Sequence, residues 1–559
     1  MMRKSFVAAT AAFIITSMGV TGLPQSASAA SACSAPTNGY GRMFPSLDAA
    51  SWSQGALTSL GDASIADAEA GPTPPGEPDA EDNRDIPAGY TYFGQFVDHD
   101  LTFDDRPNDL VTPTPVSDLV NGRTPQLDLD SLYGSGPAVS TTLYESDAKH
   151  LKVGALLTGS SDVGARDLPR AANGSALIGD PRNDENRIVA SVHSMFIRLH
   201  NQTVDRISAN EPNLSASQVF AKARQQVTWN YQWLIVNDYL PKIAGKQLVD
   251  SVATRTGSGW RTNLRFYDAC QQMPVEFSVA AYRFGHSMVR AFYRPNASIA
   301  PIPVFSGTYV PSSDLTGFSP SPTNFGIDWN LFVPTGRSGA QVVQPAYKFD
   351  NSLTNSLSLL PLPTTGIGPA NLALRNLLRS QQLGLPSGQD VARAMGVTPL
   401  SDDRILVGKA VDTDSDAVTL TSISAEFAGR APLWTYVLAE SMAQAYPIAN
   451  GRISGPQRAP FRLGPVGGRI VTETIIGLMT SDPASILNHP GFTPRAAGAR
   501  EGEFTLRTLV DTLAAPAPVP RPTPPPTVAP RPRVDPPRPG SRTPLIGRDP
   551  LPPLLRPRT

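Results

Sequence analysis

A histidine flanked by two aspartates stands in an otherwise apolar stretch, residues 94–103. If this stretch is a helix that turns about 100° per residue, Gln95, Asp98 and His99 fall within one arc of its surface. Asp100 points away from that arc, so one face would serve one site and Asp100 another. A catalytic role for His99 competes with a metal site at the Asp-His-Asp run, although adjacent helical residues diverge and do not easily clasp one ion.

Oxygen-bearing side chains alternate in the stretch that starts at Thr124, with Asp128 and Asp130 as its carboxylates. Hard cations such as calcium favour an array of this kind. The stretch is not an EF-hand, because Leu132 takes the fifth loop position and no Glu takes the twelfth. A calcium loop completed by the distant carboxylate of Asp100 is one interpretation, and an Asx-rich turn without metal is the other.

A third polar cluster, residues 179–186, leads into a helix that carries two histidines. Arg182 and Glu185 are three residues apart and can share a helical face. His193 and His200 are seven apart and also share a face, which leaves a two-histidine metal site conceivable. Because no third ligand stands near them, packing and surface roles are favoured for these two histidines.

The fourth stretch, residues 277–289, is predicted as a strongly apolar helix with one arginine and one histidine, Arg283 and His286. A lone histidine on an apolar helix is usually a core residue whose polar atoms are satisfied. The arginine three residues before it favours a haem ligand instead. A haem bound through imidazole also needs a cation for its propionates.

Helices must position these four clusters, because apolar residues recur at spacings of three and four along much of the chain. Long connections rich in Pro, Gly and Ser separate the helices, and no internal repeat is found. The pattern predicts one large, loop-rich, mainly helical domain at residues 30–514. The predicted helices cover residues 189–209, 216–239, 274–293, 371–382, 433–445 and 469–480.

Charge and cysteine content exclude several classes of protein. Residues 515–559 carry eight Arg and two Asp, which leaves 39 basic against 46 acidic residues before them. An acidic body argues against nucleic-acid binding as the main function. Two cysteines exclude a disulfide framework, a four-cysteine zinc site and a cysteine-ligated iron–sulfur cluster. Cys33 and Cys270 remain a candidate for a single bridge.

Both ends of the chain are predicted to lie outside the domain. Residues 1–29 combine a basic start, an apolar run and small residues at a cleavage site, which predicts a secretory signal peptide rather than a membrane anchor. A lipoprotein acceptor at Cys33 is a weaker alternative. No later window has the roughly 20 apolar residues of a transmembrane span.

Residues 515–559 contain 17 Pro and are predicted to be an extended, solvated tail. A flexible tail without further function is one interpretation of this segment. The alternatives are a tether to the cell wall or an anionic surface, and a ligand for a polyproline-binding partner.

In their types and order, the four clusters resemble the animal-type haem peroxidases of the peroxidase–cyclooxygenase superfamily, in the secreted bacterial branch. The resemblance runs from about residue 80 to 495 and includes further motifs at residues 376–386 and 463–471. It implies a mainly α domain with haem b between a distal and a proximal helix. It also implies a secreted enzyme that reduces hydrogen peroxide and oxidises phenolic, halide or pseudohalide donors through an iron-oxo haem. A haem-dependent fatty-acid dioxygenase and a non-catalytic binding or adhesion protein on the same scaffold are the alternatives.

The resemblance also implies roles for individual residues. Around the haem these are His99 over the iron with Gln95 and Arg182 as catalytic partners, Asp98 and Glu185 as ester-forming carboxylates, His286 as the iron ligand, Arg283 and Arg379 as propionate partners, and Asn376 as the hydrogen-bond acceptor of the proximal imidazole. Calcium would be bound by Asp100, Thr124, the carbonyl of Gln126, Asp128 and Asp130.

Some positions depart from the family pattern. Asn186 stands where one family member has a methionine bonded to haem, which excludes a sulfonium link here. Gln381, Gln382 and Leu383 replace an Arg-Asp-His sequence, which alters the support of the proximal side. Asp130 replaces a Ser that mammalian members usually have, and it remains an oxygen donor. A dioxygenase also needs a radical-forming tyrosine near the proximal side, for which the sequence fixes no position.

Overall fold

The computed structural model describes residues 38–514 except 75–76, 78, 105–109, 258, 269–271, 308–311, 335–341, 361–367, 413–414 and 495–501. The predicted signal peptide, the Pro- and Arg-rich tail, Cys33 and Cys270 lie outside the described residues. Within them the chain is mainly helical and rich in loops, which confirms the predicted fold class. Among the helices that the structure describes, none has the length and apolar character needed to cross a bilayer.

Helices of three kinds account for most of the regular structure. The α-helices span Gln54–Ala63, Gly89–Leu101, Asp130–Tyr133, Arg187–Asn210, Ala216–Leu234, Lys246–Val252, Leu372–Gln382, Gly388–Ala394, Leu420–Ile423, Leu433–Ala445, Pro465–Ser481 and Leu506–Ala514. The 3₁₀-helices span Val116–Asp118, Thr141–Leu143, Pro181–Asp184, Ala281–His286, Trp329–Leu331, Asn355–Ser358, Asp402–Arg404, Ala425–Phe427 and Ile486–Asn488. The π-helices span Ile235–Tyr239, Pro241–Gly245 and Glu276–Ala280.

The described strands form only two-stranded sheets. Tyr40–Gly41 pairs in parallel with Met273–Pro274. The antiparallel pairs are Asp82–Pro87 with Pro345–Tyr347, Ala253–Thr256 with Gly259–Thr262, Phe292–Tyr293 with Ile302–Pro303, Leu406–Val407 with Val418–Thr419, and Ile448–Ala449 with Arg452–Ile453.

One predicted helix, residues 274–293, is wrong as a continuous helix. The π-helix Glu276–Ala280 changes at Ala280 (φ −125°, ψ −73°) into the 3₁₀-helix Ala281–His286. In a 3₁₀-helix residues three apart lie directly above one another. Arg283 and His286 therefore share a face, as predicted, although the helix type is different.

The helix Gly89–Leu101 lies at the centre of the molecule, and all of its residues except Gln95 are buried. It packs against the long helix Arg187–Asn210 and against the 3₁₀-helix Ala281–His286. A side chain at Gly94 would bring a Cβ within 2.5 Å of the Tyr239 hydroxyl, so this contact requires glycine. The central helix can therefore hold its polar side chains in a fixed orientation.

Candidate active site

A cavity of about 720 Å³ is lined by the helix Gly89–Leu101 on one wall and by the 3₁₀-helix Ala281–His286 on another. All nine residues predicted to surround a haem line it: Gln95, Asp98, His99, Arg182, Glu185, Arg283, His286, Asn376 and Arg379. Apolar side chains such as Val279, Phe284, Met288, Phe305 and Leu357 complete the walls. Apolar walls with two histidines and several arginines fit a haem, which needs an imidazole for its iron and cations for its propionates.

The ring of His99 is held in one tautomer by Asn183. Its Nδ1 lies 2.9 Å from Asn183 Oδ1, so Nδ1–H donates and Nε2 keeps its lone pair. Burial, assisted by the charge of Arg182, lowers the pKa of His99 to about 4. The imidazole is therefore neutral at neutral pH, and its Nε2 can accept a proton.

Arg182 places a permanent positive charge on the cavity wall. Its Nη2 and Nε donate to the Asp180 carboxylate at 2.7 and 3.1 Å, and Nη2 also donates to the carbonyl of Thr102 at 2.6 Å. Burial alone would lower the pKa of Arg182, but Asp180 raises it. The guanidinium also stacks on the ring of Phe103, 4.7 Å from its centroid. These contacts fix both the charge and the position of the group.

Gln95, Glu185 and Asn186 form a hydrogen-bonded group beside His99. Gln95 Nε2 donates to Glu185 Oε2 at 3.1 Å, and Asn186 Nδ2 donates to Gln95 Oε1 at 3.0 Å. Burial raises the pKa of Glu185 to about 7, against the opposing effect of Arg182. The Glu185 carboxyl group therefore changes its charge near neutral pH.

His286 lies on the opposite wall and contacts Asn376. Its Nδ1 is 3.0 Å from Asn376 Nδ2. Rotating this amide by 180° exchanges Nδ2 for Oδ1, which lets Nδ1–H donate and leaves Nε2 free to bind a metal. Burial, with a contribution from Arg283, lowers the pKa of His286 to about 3, so the ring is neutral, as metal ligation requires.

An ion pair joins the two walls of the cavity. Arg283 Nη1 lies 3.1 Å from Asp98 Oδ2, while its Nε donates to the carbonyl of Ser278 at 2.7 Å. Thr102 Oγ1 donates to the other carboxylate oxygen of Asp98 at 3.1 Å. Burial would raise the pKa of Asp98, but Arg283 and other nearby charges lower it below its ordinary value. Asp98 is therefore an ionised carboxylate inside the cavity.

Gln381 and Gln382, which depart from the family pattern after Arg379, form hydrogen bonds that stabilise this segment. Arg379 forms an ion pair with Asp104 and donates from Nη1 to Gln382 Oε1 at 2.7 Å. Gln382 in turn donates from Nε2 to the carbonyl of Thr112 at 2.9 Å. Gln381 Oε1 accepts from the backbone of a neighbouring segment at 2.8 Å. The two glutamines thus hold the end of the helix Leu372–Gln382 in place.

Asp100 points away from the cavity and meets the loop that contains Asp128 and Asp130. Carboxylate oxygens of the three residues lie within 4.8 Å of one another. Thr124 Oγ1 donates to Asp128 Oδ1 at 2.9 Å, and Gln126 belongs to the same loop through a bond from its N–H to the Thr124 carbonyl at 2.8 Å. All five residues predicted to bind calcium therefore lie in or against one loop.

The electrostatics of this loop fit a hard cation. Burial, with the charges of Asp130 and Asp128, raises the pKa of Asp100 well above its ordinary value. Burial also raises the pKa of Asp130 to about 6 despite Arg123, and Asp130 Oδ1 has no hydrogen-bond partner in the part of the chain that the structure describes. Leu129, between the two loop aspartates, has a left-handed backbone (φ 61°), an uncommon conformation for a branched residue. A calcium ion would offset the repulsion that raises both pKa values.

The histidines of the helix Arg187–Asn210 are not surface residues, because His193 and His200 are both buried. His200 Nδ1 lies 3.1 Å from the Tyr133 hydroxyl and Nε2 lies 2.8 Å from the carbonyl of Lys149. His193 Nδ1 lies 3.1 Å from Asn183 Nδ2. The only cluster of metal-ligating side chains found among the described residues is the aspartate group of Asp100, so the two-histidine metal site has no structural support.

Several residues of the site were not predicted from the sequence. Asn183 does not line the cavity but is bonded to His99, and its position between Arg182 and Glu185 was the available signal. Tyr239 and Tyr282 do line the cavity, with their hydroxyl oxygens 3.0 Å apart. Their pairing joins helical segments 43 residues apart, for which no local pattern exists.

Comparison with known proteins yields a consistent set of relatives. Residues 106–415 match the family model described as animal haem peroxidase, a region that begins after His99. Peroxinectin A of Dictyostelium discoideum is 24% identical over 295 residues, which cover 50% of this chain and 50% of that protein. Thyroid peroxidase of Mus musculus is 27% identical over 360 residues, which cover 58% of this chain and 37% of that protein.

The chain thus matches half, or less, of the length of these two relatives. Among solved structures, peroxidase A from Dictyostelium discoideum aligns with a TM-score of 0.52 at 15% identity, covering 86% of this chain and 92% of that one. At this identity the structural match supports the shared fold.

Proposed function

Since this chain belongs to the animal haem peroxidase family, we propose that it is a secreted peroxidase that reduces hydrogen peroxide and oxidises phenolic, halide or pseudohalide donors. One observation carries the proposal. The neutral, hydrogen-bonded His99 and the cationic Arg182 line the same cavity as the neutral His286. A base, a fixed cation and an imidazole ligand are the three groups that peroxide cleavage at a haem requires.

Several residues that line the cavity would hold the haem. His286 would bind the iron through Nε2, with its Nδ1–H oriented by Asn376. Arg283 and Arg379 would bind the propionates, and Asp98 and Glu185, which line the same cavity, would form the ester links to the haem. The haem, when bound, supplies an iron that exchanges electrons with peroxide and with the donor.

His99 would act as a base and then as an acid. Its Nε2 would take a proton from one oxygen of hydrogen peroxide and deliver it to the other oxygen, which would leave as water. Arg182 stabilises the negative charge that develops on the leaving oxygen, and its Nη1, which has no hydrogen-bond partner among the described residues, is available for that contact. Gln95 Nε2 is bound to Glu185, which fixes the polar wall beside the peroxide.

Calcium at the Asp100 loop would have a positioning role. Asp100 follows His99 directly on the central helix, so a cation bound by Asp100, Thr124, Gln126, Asp128 and Asp130 would fix the orientation of that helix.

The proposal that the protein is secreted rests on the predicted signal peptide, residues 1–29. It is tested by the N-terminal sequence of protein from the culture medium, which should begin at residue 30.

The experiment compares His286→Ala with wild type and with His150→Ala, which changes a histidine outside the cavity. Wild type and His150→Ala are expected to bind added haem with an intense visible absorption band and to oxidise a phenol only when hydrogen peroxide is present. His286→Ala should lose both properties. A wild-type protein that binds no haem would contradict the proposal and leave a binding or adhesion protein. One that binds haem but turns over no peroxide would also contradict it and would leave the fatty-acid dioxygenase as well.

A fatty-acid dioxygenase remains the second candidate because of the Tyr239 and Tyr282 pair on the cavity wall. Tyr282 is four residues before His286, so the proximal side does carry a tyrosine, which the sequence did not place. Oxygen consumption that depends on a long-chain fatty acid, and disappears in Tyr282→Phe, would favour this function. Peroxide-dependent phenol oxidation without such oxygen uptake favours the peroxidase.

A further inference from the structure

We propose that His193 is a positioning residue that sets, through the amide of Asn183, which nitrogen of His99 carries the proton. Asn183 lies between the two rings: its Oδ1 is 2.9 Å from His99 Nδ1, and its Nδ2 is 3.1 Å from His193 Nδ1. The consequence for catalysis rests on the proposed peroxidase function, whereas the proton positions themselves do not.

The argument follows from the polarity of an amide, which accepts at one end and donates at the other. When His193 Nδ1 accepts from Nδ2, the amide oxygen must face His99. His99 Nδ1 then carries a proton, and Nε2 has a lone pair. Turning the amide over would require a proton on His193 Nδ1 and would place one on His99 Nε2. The tautomers of the two histidines are therefore coupled.

The surroundings of His193 isolate the two bonds of Asn183 from water and from competing partners. His99, Asn183 and His193 are 4%, 0% and 1% exposed, so water is largely excluded from these bonds. Burial lowers the pKa of His193 to about 3, so its ring stays neutral and Nδ1 can remain an acceptor. Its Nε2 has no hydrogen-bond partner in the described part of the chain, so the bond to Asn183 is the only polar contact of this ring there.

The reversed arrangement would disable the base, because a protonated Nε2 cannot accept a proton from peroxide. The size of such an effect is known from serine proteases, where replacing the aspartate of the triad by asparagine leaves the geometry intact but gives the wrong tautomer and lowers kcat about 10⁴-fold. His193 is an indirect influence here, so we expect a smaller loss.

A matched pair of variants tests the coupling. His193→Asn keeps an acceptor, Oδ1, near the position of Nδ1, whereas His193→Leu removes it. The direct measurement is the ¹⁵N NMR spectrum of histidine-labelled protein loaded with zinc protoporphyrin, a diamagnetic haem analogue. Wild type and His193→Asn should show His99 protonated at Nδ1. His193→Leu should show a mixture of tautomers, and an unchanged spectrum in that variant would overturn the proposal.

Kinetics with haem provide a second readout. His193→Leu is expected to lower kcat/KM for hydrogen peroxide about 10- to 100-fold without changing KM for the phenolic donor. Adding Asn183→Asp should restore most of the loss, because a carboxylate accepts from His99 Nδ1 whatever stands at position 193. Failure of this rescue in a folded double variant would indicate a structural role for His193 and contradict the coupling.

The two proposals fail in different ways. A protein without peroxide turnover but with the expected His99 tautomers would contradict the peroxidase function and leave the coupling intact.

If His193→Leu does not fold, the NMR spectrum of the single variant Asn183→Leu tests the same coupling. This variant removes the amide and should release the tautomer of His99, and a His99 that stays protonated at Nδ1 alone would overturn the coupling.

Discussion

At the scale of single residues, the candidate site depends on hydrogen-bond and ion-pair partners that hold each charged or basic group in one protonation state and one position. The residue types and the order of the clusters were sufficient to select His99, Arg182 and His286, which all line the cavity. They were not sufficient to select Asn183 or Asp180. Hydrogen-bond partners depend on the turn that a short 3₁₀-helix makes, which apolar periodicity does not report.

The pH dependence of the peroxide reaction should reflect the lowered pKa of His99. Because that pKa is about 4, the imidazole is neutral and active above this value and is protonated below it. We expect kcat/KM for hydrogen peroxide to change little between pH 5 and 6.5 and to fall about tenfold per pH unit below pH 4. Initial rates after a rapid pH jump separate this effect from acid unfolding. A loss centred near pH 6.5 would mean that burial does not perturb His99.

Replacement of Arg182 by lysine should show that the planar group, and not only its charge, is needed. Lysine cannot bind Asp180 through two nitrogens and also reach Thr102. We expect Arg182→Lys to lower kcat/KM for hydrogen peroxide about 100-fold. Arg187→Lys is the matched control, because Arg187 is bound to serine hydroxyls and does not line the cavity. Equal activity of the two variants would contradict the role of Arg182.

At the scale of elements, apolar spacing predicted helices where one face is buried along a regular α-helix. Residues 433–445 coincide with Leu433–Ala445, and residues 371–382 with Leu372–Gln382 to within one residue. The exceptions are the end of the predicted helix 216–239, where Ile235–Tyr239 is a π-helix, and the segment before His286, where the chain changes from π- to 3₁₀-helix. Such changes depend on contacts from distant residues; Ser287 Oγ, for example, bonds to the carbonyls of Lys348 and Asp350 at 2.8 Å.

The carboxylates of the loop around Asp128 and Asp130 should lower the stability of the calcium-free protein and provide its affinity for calcium. Without a cation, three close carboxylates repel, and burial raises the pKa of Asp130 to about 6. Asp130→Asn should therefore raise Tm in a chelating buffer. It should also abolish the increase in Tm and in haem retention that added calcium gives wild type. Asp147→Asn, at an exposed site outside the loop, is the control. A wild-type Tm that is insensitive to calcium would sink the calcium assignment.

A buried glutamate between two helices should make stability depend on pH. Burial raises the pKa of Glu440 to about 8, although its carboxyl group accepts from the amides of Val466 and Gly467 at the start of the helix Pro465–Ser481. The folded state therefore holds a proton that the unfolded state releases above its ordinary pKa. Between pH 5 and 8 this contribution to stability falls with rising pH, by up to about 1.4 kcal/mol per unit.

Glu440→Gln should remove this dependence, because glutamine keeps an acceptor oxygen and does not titrate. The measurement is urea unfolding at pH 5, 6, 7 and 8. The difference between wild type and variant should change steadily across that range. Parallel curves for the two proteins would show that Glu440 does not titrate between pH 5 and 8.

At the scale of the whole molecule, the mainly helical domain could be predicted from periodicity, whereas the cavity could not. Its walls come from segments as distant in sequence as Tyr40 and Leu383, and their convergence depends on long-range packing. The family match covers residues 106–415, so the assignment of the preceding central helix rests on its position in the cavity.

The tail, residues 515–559, should affect binding to anionic surfaces and leave the reaction with hydrogen peroxide unchanged. Residues 515–559 carry eight Arg and two Asp on a Pro-rich chain, while the rest of the protein is acidic. A protein that ends at residue 514 should retain the kcat/KM of the full chain for hydrogen peroxide. It should lose binding to vesicles that contain anionic lipid at low ionic strength. Equal vesicle binding by both proteins would exclude the tail as an electrostatic tether.

Three of the four arginines that line the cavity have a consequence for the order of events during biosynthesis. Each of these three is already paired with an aspartate of the same chain: Arg182 with Asp180, Arg283 with Asp98, and Arg379 with Asp104. A half-buried cation with its own carboxylate does not need a ligand to compensate it. The polypeptide can therefore complete its folding before it acquires a prosthetic group, so that export and cofactor insertion can take place at different times and in different compartments.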